Sequence, residues 1–158
     1  MIKFYDIDNS YIQYLKQFDR QVPDINYSMH NKFVCGIILN INNINYYAPV
    51  SSFNKKQQTN FPIRHNGQII STIRFSFMFP AMDNVLSLKN FQRIRSIDSN
   101  YADLLSTEYN YCKSHIDDIY RRAQAVYRIG CNADHYLNKT CCNFKLLESV
   151  YTQYSQNK

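Results

Sequence analysis

The sequence predicts an α+β fold in which an antiparallel sheet is laid down first and helices follow it. Runs rich in β-branched and aromatic residues lie before Pro80, and apolar residues at helical spacing lie after Ala81. Strands followed by helices favour segregated elements over a doubly wound parallel sheet. Between two of the β-prone runs stands Asn42-Asn43, a hairpin signal. At 158 residues with 45% hydrophobic content, the chain fits one domain, residues 1–158, with its own core.

Residues 2–7 read as a first strand. Asp8-Asn9-Ser10 then offers helix-capping oxygens ahead of Tyr11, Ile12, Leu15 and Phe18 at helical spacing. Residues 19–31 are polar, contain Pro23 and read as a long loop. Phe33 to Ile41 and Ile44 to Val50 form the two arms of the hairpin, and residues 51–66 read as a second long loop. A single strand is expected from Gln68 to Phe79, ended by Pro80. Leu86, Leu88, Phe91 and Ile94 suggest a short helical or irregular connection. From Tyr101 to Val126 a sustained apolar stripe predicts a long helix that stops at Gly130, and Asn143 starts a last helix carrying Phe144, Leu147 and Val150.

Charge is unevenly placed. The chain has 18 basic and 12 acidic residues, for a formal net charge of +6. Between Arg20 and Pro80 the bases are Arg20, Lys32, Lys55, Lys56, Arg64 and Arg74, against the single acid Asp24. That half is the expected anion-facing surface. The 14 tyrosines and 10 phenylalanines could supply rings that stack on unpaired bases, although most such rings belong in a core or at its rim. Five cysteines, an odd number without metal-ligand spacing, read as reduced thiols, and adjacent Cys141-Cys142 as packing residues. No apolar run is long enough to span a bilayer, so a cytoplasmic protein with no membrane association is expected.

Three glycines, none in a phosphate-binding loop, argue against a nucleotide fold. Dispersed histidines and scarce acids argue against a metal site or two-metal nuclease chemistry, and no cofactor is expected. The chemistry-bearing stretch is Pro49-Val50-Ser51-Ser52-Phe53-Asn54-Lys55-Lys56. Proline fits a strand terminus, two hydroxyls can bond a phosphate, and two ammonium groups can oppose its charge. A polar turn with a solvated lysine pair is the competing reading. Lys32 stands just before the first hairpin arm and Ser51-Ser52 just after the second, so a tight hairpin brings them to one end. His30 and His65 flank that end and can titrate near neutrality, or simply face solvent in turns.

These residues resemble the ToxN/AbiQ family of type III toxin–antitoxin endoribonucleases. The likeness runs from Lys3-Phe4-Tyr5 and Tyr11-Ile12-Gln13-Tyr14-Leu15-Lys16-Gln17-Phe18-Asp19 through Lys32-Phe33-Val34-Cys35-Gly36. It is sharpest at Tyr47-Ala48-Pro49-Val50-Ser51-Ser52 with Lys55-Lys56, and continues in His65-Asn66-Gly67, Phe77-Met78-Phe79-Pro80 and Thr140-Cys141-Cys142-Asn143-Phe144. The resemblance implies a compact, strongly twisted antiparallel sheet or barrel of the Kid and MazF toxin type with added helices. It implies metal-independent RNA cleavage leaving 2′,3′-cyclic phosphates, and a small repetitive RNA antitoxin whose pseudoknot units join the toxin in a closed assembly. Cellular and phage mRNA would be the substrate.

By the same resemblance Ser52, Ser51, Lys32 and Lys55 are the catalytic candidates. Lys56, Tyr5, Tyr11, Tyr27, His30, Arg64 and His65 are expected RNA contacts. A non-catalytic RNA-binding module that represses by occupancy fits the same charge and aromatic content. A protein-interaction barrel would instead show little salt-dependent RNA affinity.

Overall fold

A computed structural model describes residues 1–25 and 32–155. Seven antiparallel strands form one sheet: β1 (Lys3–Ile7), β2 (Phe33–Ile41), β3 (Ile44–Ser51), β4 (Asn60–His65), β5 (Gln68–Arg74), β6 (Phe79–Pro80) and β7 (Leu86–Leu88). The strand order is β4-β5-β3-β2-β1-β7, with β6 pairing beside β3. Among the described residues β4 and β7 are edges that do not meet, so the sheet is open. This corrects the expected barrel while keeping the antiparallel α+β architecture. The helices are α1 (Asn9–Lys16), α2 (Phe91–Ile97), α3 (Ser99–Ser114), α4 (Ile116–Cys131) and α5 (Phe144–Val150).

Local chemistry explains the elements read correctly from sequence. Asp8 caps α1, its Oδ1 accepting from the Ser10 N–H at 3.1 Å. Asn143 caps α5 in the same way through the Leu146 N–H. Asn42 and Asn43 take φ of 51° and 65°, the two left-handed residues that a type I′ turn requires between β2 and β3.

Four expectations are corrected. The second long loop contains β4, which a turn at Asn66-Gly67, both at positive φ, folds back onto β5. Pro62 obscures this strand, but at a sheet edge it need not donate to a ladder. The expected strand from Gln68 to Phe79 ends at Arg74, where Phe75–Phe77 form a 3₁₀ turn before β6. The connection expected to be helical or irregular is helical at α2, but β7 precedes it. The long helix is two helices broken at His115, and α4 runs through Gly130 to Cys131. Gly130 serves packing instead of termination, because a Cβ there would lie 2.2 Å from the Phe144 ring.

The core joins sheet and helices. Phe4 packs edge-on against Tyr109 of α3 with centroids 5.2 Å apart, and the Tyr109 hydroxyl donates to the Ile2 carbonyl at 3.1 Å. Tyr46 of β3 and Tyr127 of α4 both donate to Glu148 Oε2 of α5 at 2.6 Å. Gly36 leaves room for Tyr47 on the next strand, where a Cβ would meet the ring at 2.2 Å. Among the described residues no helix is long and apolar enough to cross a membrane.

Candidate active site

The end of the β2–β3 hairpin opposite its turn gathers the polar groups. Phe33 pairs with Val50 across the ladder, so Lys32 just precedes and Ser51 just follows that pair on neighbouring strands. On its other side Ser51 pairs with Thr72 of β5. Lys32 is thereby brought to the serine end, with its backbone N–H bonded to the Ile25 carbonyl at 2.8 Å.

The two serines divide their work. Ser51 is only 7% exposed, and its Oγ accepts from the Phe53 N–H at 3.2 Å. The Thr72 hydroxyl donates to the Phe53 carbonyl at 2.9 Å. Phe53 is therefore held at both its amide and its carbonyl, and Ser52, one residue before it, is exposed on a fixed backbone. Ser51 shapes the loop through its bond to the Phe53 N–H, while Ser52 is exposed to solvent.

Asn60, 1% exposed, organises the rest of the loop. Its Nδ2 donates to the Lys55 carbonyl and its Oδ1 accepts from the Gln57 N–H, both at 2.9 Å. The Phe75 N–H closes onto the Thr59 carbonyl at 3.1 Å. Lys55 and Lys56 are exposed on this tied loop, without an ion pair to any described carboxylate. Arg64 and His65 are also exposed, but they stand on the β4–β5 hairpin where it projects beyond Ser51. Its tip at Gln68 lies four residues past Thr72, roughly 14 Å along the strand. The hairpin thus extends the same cationic end without converging on Ser52.

The tyrosines separate by burial. Tyr5 is half-buried in β1, edge-on to Tyr47 at 5.6 Å, and burial followed by the Asp83 charge raises its pKa. The same two causes, joined by Tyr5, push Tyr47 up to about 12. Tyr11, in contrast, is 1% exposed and donates to the Pro80 carbonyl at 2.5 Å. It is a core residue with no ring face to offer a base, which corrects its expected role as an RNA contact. Tyr27 and His30 lie outside the described residues.

Sequence reasoning missed Thr72, Asn60 and Arg74 as parts of this region. The Arg74 guanidinium is held over the Phe53 ring at 4.5 Å and the Phe77 ring at 4.7 Å, and burial lowers its pKa. Its presence in a β-prone run was the one available signal, since a charge inside such a run demands a local reason. The cysteines are all free, and Cys141 and Cys142 are buried as packing residues. Among the described residues no three His, Cys, Asp or Glu side chains gather as a cation cage.

Residues 3–152 match the family described as toxin ToxN of type III toxin–antitoxin systems. The chain is 28% identical to the endoribonuclease ToxN of Pectobacterium atrosepticum, over 98% of this chain and 95% of that protein. It is 27% identical to the endoribonuclease AbiQ of Lactococcus lactis subsp. lactis, over 98% of this chain and 90% of that protein. A solved structure from work on selective inhibition of type III toxins by a non-coding RNA pseudoknot superposes with a TM-score of 0.90 at 23% identity, covering 99% of each chain.

Proposed function

The chain belongs to the ToxN family of type III toxin–antitoxin toxins, and from that premise we propose that it is a metal-independent, sequence-specific endoribonuclease acting in the bacterial cytoplasm. Its substrates are cellular and phage mRNA and the precursor of its own repetitive RNA antitoxin. The observation that carries this reading is the exposed Ser52, set on a backbone tied by Ser51 and Thr72 at the end of the sheet that Lys32 shares.

In the proposed reaction the 2′-oxygen of one nucleotide attacks the adjacent phosphorus and the bond from phosphorus to the 5′-oxygen breaks. The 2′-hydroxyl proton leaves to a base, the departing 5′-oxygen takes up a proton, and the products are a 2′,3′-cyclic phosphate and a 5′-hydroxyl. Ser52 positions the scissile phosphate by hydrogen bonding, and Lys32 or Lys55 opposes the charge that grows on its oxygens. Tyr5, Lys56, Arg64 and His65 contact the flanking RNA. Pseudoknot units of the processed antitoxin occupy the same surface in a closed protein–RNA assembly, a partner suggested by the RNA pseudoknot named for the structural relative. Free toxin arrests growth and aborts phage infection.

The test is incubation of the protein with end-labelled RNA in excess EDTA, native chain beside Ser52→Ala, with end groups mapped. Cyclic-phosphate products from the native chain alone are expected. Salt-dependent binding without products would replace this reading with that of an RNA-binding module acting by occupancy.

A further inference from the structure

Following the Ser52–Lys56 loop in the chain, Gln57 lines a groove of about 480 Å³ together with Arg74, Ser76, Phe77, Tyr136 and Thr140 among others. None of its lining residues is acidic. Arg74 sits between two aromatic rings, Phe53 and Phe77, which fix the plane of its guanidinium. Among the described residues its one hydrogen bond is a long 3.4 Å contact from Nη2 to Gln57 Oε1, and it makes no ion pair. Burial of an arginine normally comes with a carboxylate. Here the guanidinium is ordered by stacking and left with donors for an anion that no described residue provides.

The groove is also lined by Tyr136, 76% exposed, an unusual position for a large ring. Its orientation is not random. His135 stacks behind it at 4.8 Å with the planes 18° apart, and its hydroxyl donates to Gln58 Oε1 at 2.7 Å. Arg122 from α4 donates to the Gln58 carbonyl at 3.0 Å, tying the loop to the helices at the same point. The groove therefore offers a held cation, a held ring, and the amide groups of Gln57 and Gln58 bonded to them.

We propose that this groove is a nucleotide subsite for the single-stranded RNA that flanks the scissile bond: Arg74 binds a backbone phosphate, Tyr136 stacks on a base, and Gln57 hydrogen-bonds the base edge. Phosphate and base together are the ligand that matches a planar fork of donors facing an exposed ring. Phe53 connects the groove to the reaction site, because it follows Ser52 in the chain and carries Arg74 on its ring. A strand seated in the groove is thus registered against Ser52, and the base that stacks on Tyr136 contributes to the choice of cleavage site. This inference rests on the endoribonuclease reading.

The experiment uses the full chain and single-stranded RNA oligonucleotides of one fixed mixed sequence, lengthened stepwise on either side of a common centre. Cleavage is followed in the native background and binding in the Ser52→Ala background. Lengthening on one side is expected to tighten binding. Tyr136→Ala removes about tenfold of that gain, the scale of one base–aromatic stack. Tyr136→Phe retains it, although the bond to Gln58 is lost, which separates stacking from loop support. Arg74→Gln lowers the slope of log affinity against log salt by about one. If Tyr136→Ala keeps the full gain while the native chain cleaves, the subsite is overturned and the nuclease reading stands. Length-dependent binding lost in Tyr136→Ala, with no cleavage by the native chain, overturns the nuclease reading and keeps the subsite. No RNA binding by the native chain overturns both.

Discussion

The helical side of the sheet and the serine end of the β2–β3 hairpin treat polar groups in opposite ways. On the helical side buried polar groups pair with one another: Tyr46 and Tyr127 share Glu148, Lys145 lies 3.6 Å from the same carboxylate, and Ser71 donates to Glu108 at 2.6 Å. Burial and the Glu148 carboxylate raise the pKa of the Tyr46 hydroxyl well above its ordinary value. At the serine end the side-chain hydrogen bonds hold backbone, through Ser51, Thr72 and Asn60. They leave Ser52, Lys55 and Lys56 exposed on a fixed frame. Groups engaged with one another hold a fold together, whereas groups fixed but unengaged are free to bind a substrate.

Substitutions on the two sides should therefore separate activity from stability. The largest effect is expected for Ser52→Ala, with cleavage falling at least about 100-fold and the urea midpoint unchanged because the side chain is exposed; a shifted midpoint would place Ser52 among the structural groups. Glu148→Leu should do the reverse. It removes the acceptor of the hydroxyls of two buried tyrosines and is expected to cost roughly 2–4 kcal/mol in urea unfolding, while the folded fraction still cleaves RNA.

Glu108 sharpens the comparison through pH. Burial raises its pKa from 4.5 to about 6, with the Ser71 hydrogen bond pulling the other way. The folded chain thus holds this proton more tightly than the unfolded one, so stability falls as pH rises from about 4.5 to 6. The change is about 2 kcal/mol, at 1.4 kcal/mol per pKa unit. Glu108→Gln keeps an acceptor for Ser71 and should remove that part of the slope in unfolding measured across this range; an identical slope in the variant would assign the effect to other groups. The smallest expected effect is at Lys55→Ala: RNA binding weakened several-fold, a salt slope reduced by about one, and stability unaffected.

What could be read from sequence follows the range of the forces involved. The Asp8 and Asn143 caps, the Asn42-Asn43 turn and the strand ends around them depend on groups a few residues apart, and each appeared where expected. Asn66-Gly67 was equally local, yet Pro62 and Thr59-Asn60 masked the strand before it, because edge position is a property of the sheet and not of the segment. The break at His115 was hidden by an apolar stripe that continues in phase on either side of it.

Among site residues, the sequence by itself determined that Lys32 and the serines share an end of the molecule, since a tight hairpin leaves no other arrangement, and its resemblance to the ToxN/AbiQ family directed attention to Ser52. Only the tertiary structure decided which serine is exposed, that Tyr11 belongs to the core, that Gly130 accommodates a ring instead of ending a helix, and that Arg74 is sandwiched between Phe53 and Phe77. Caps and turns are set by contacts within a few residues of chain. Burial and the pairing of charges are set by groups that meet across the fold, such as Tyr11 with Pro80, 69 residues apart, and no local pattern contains them.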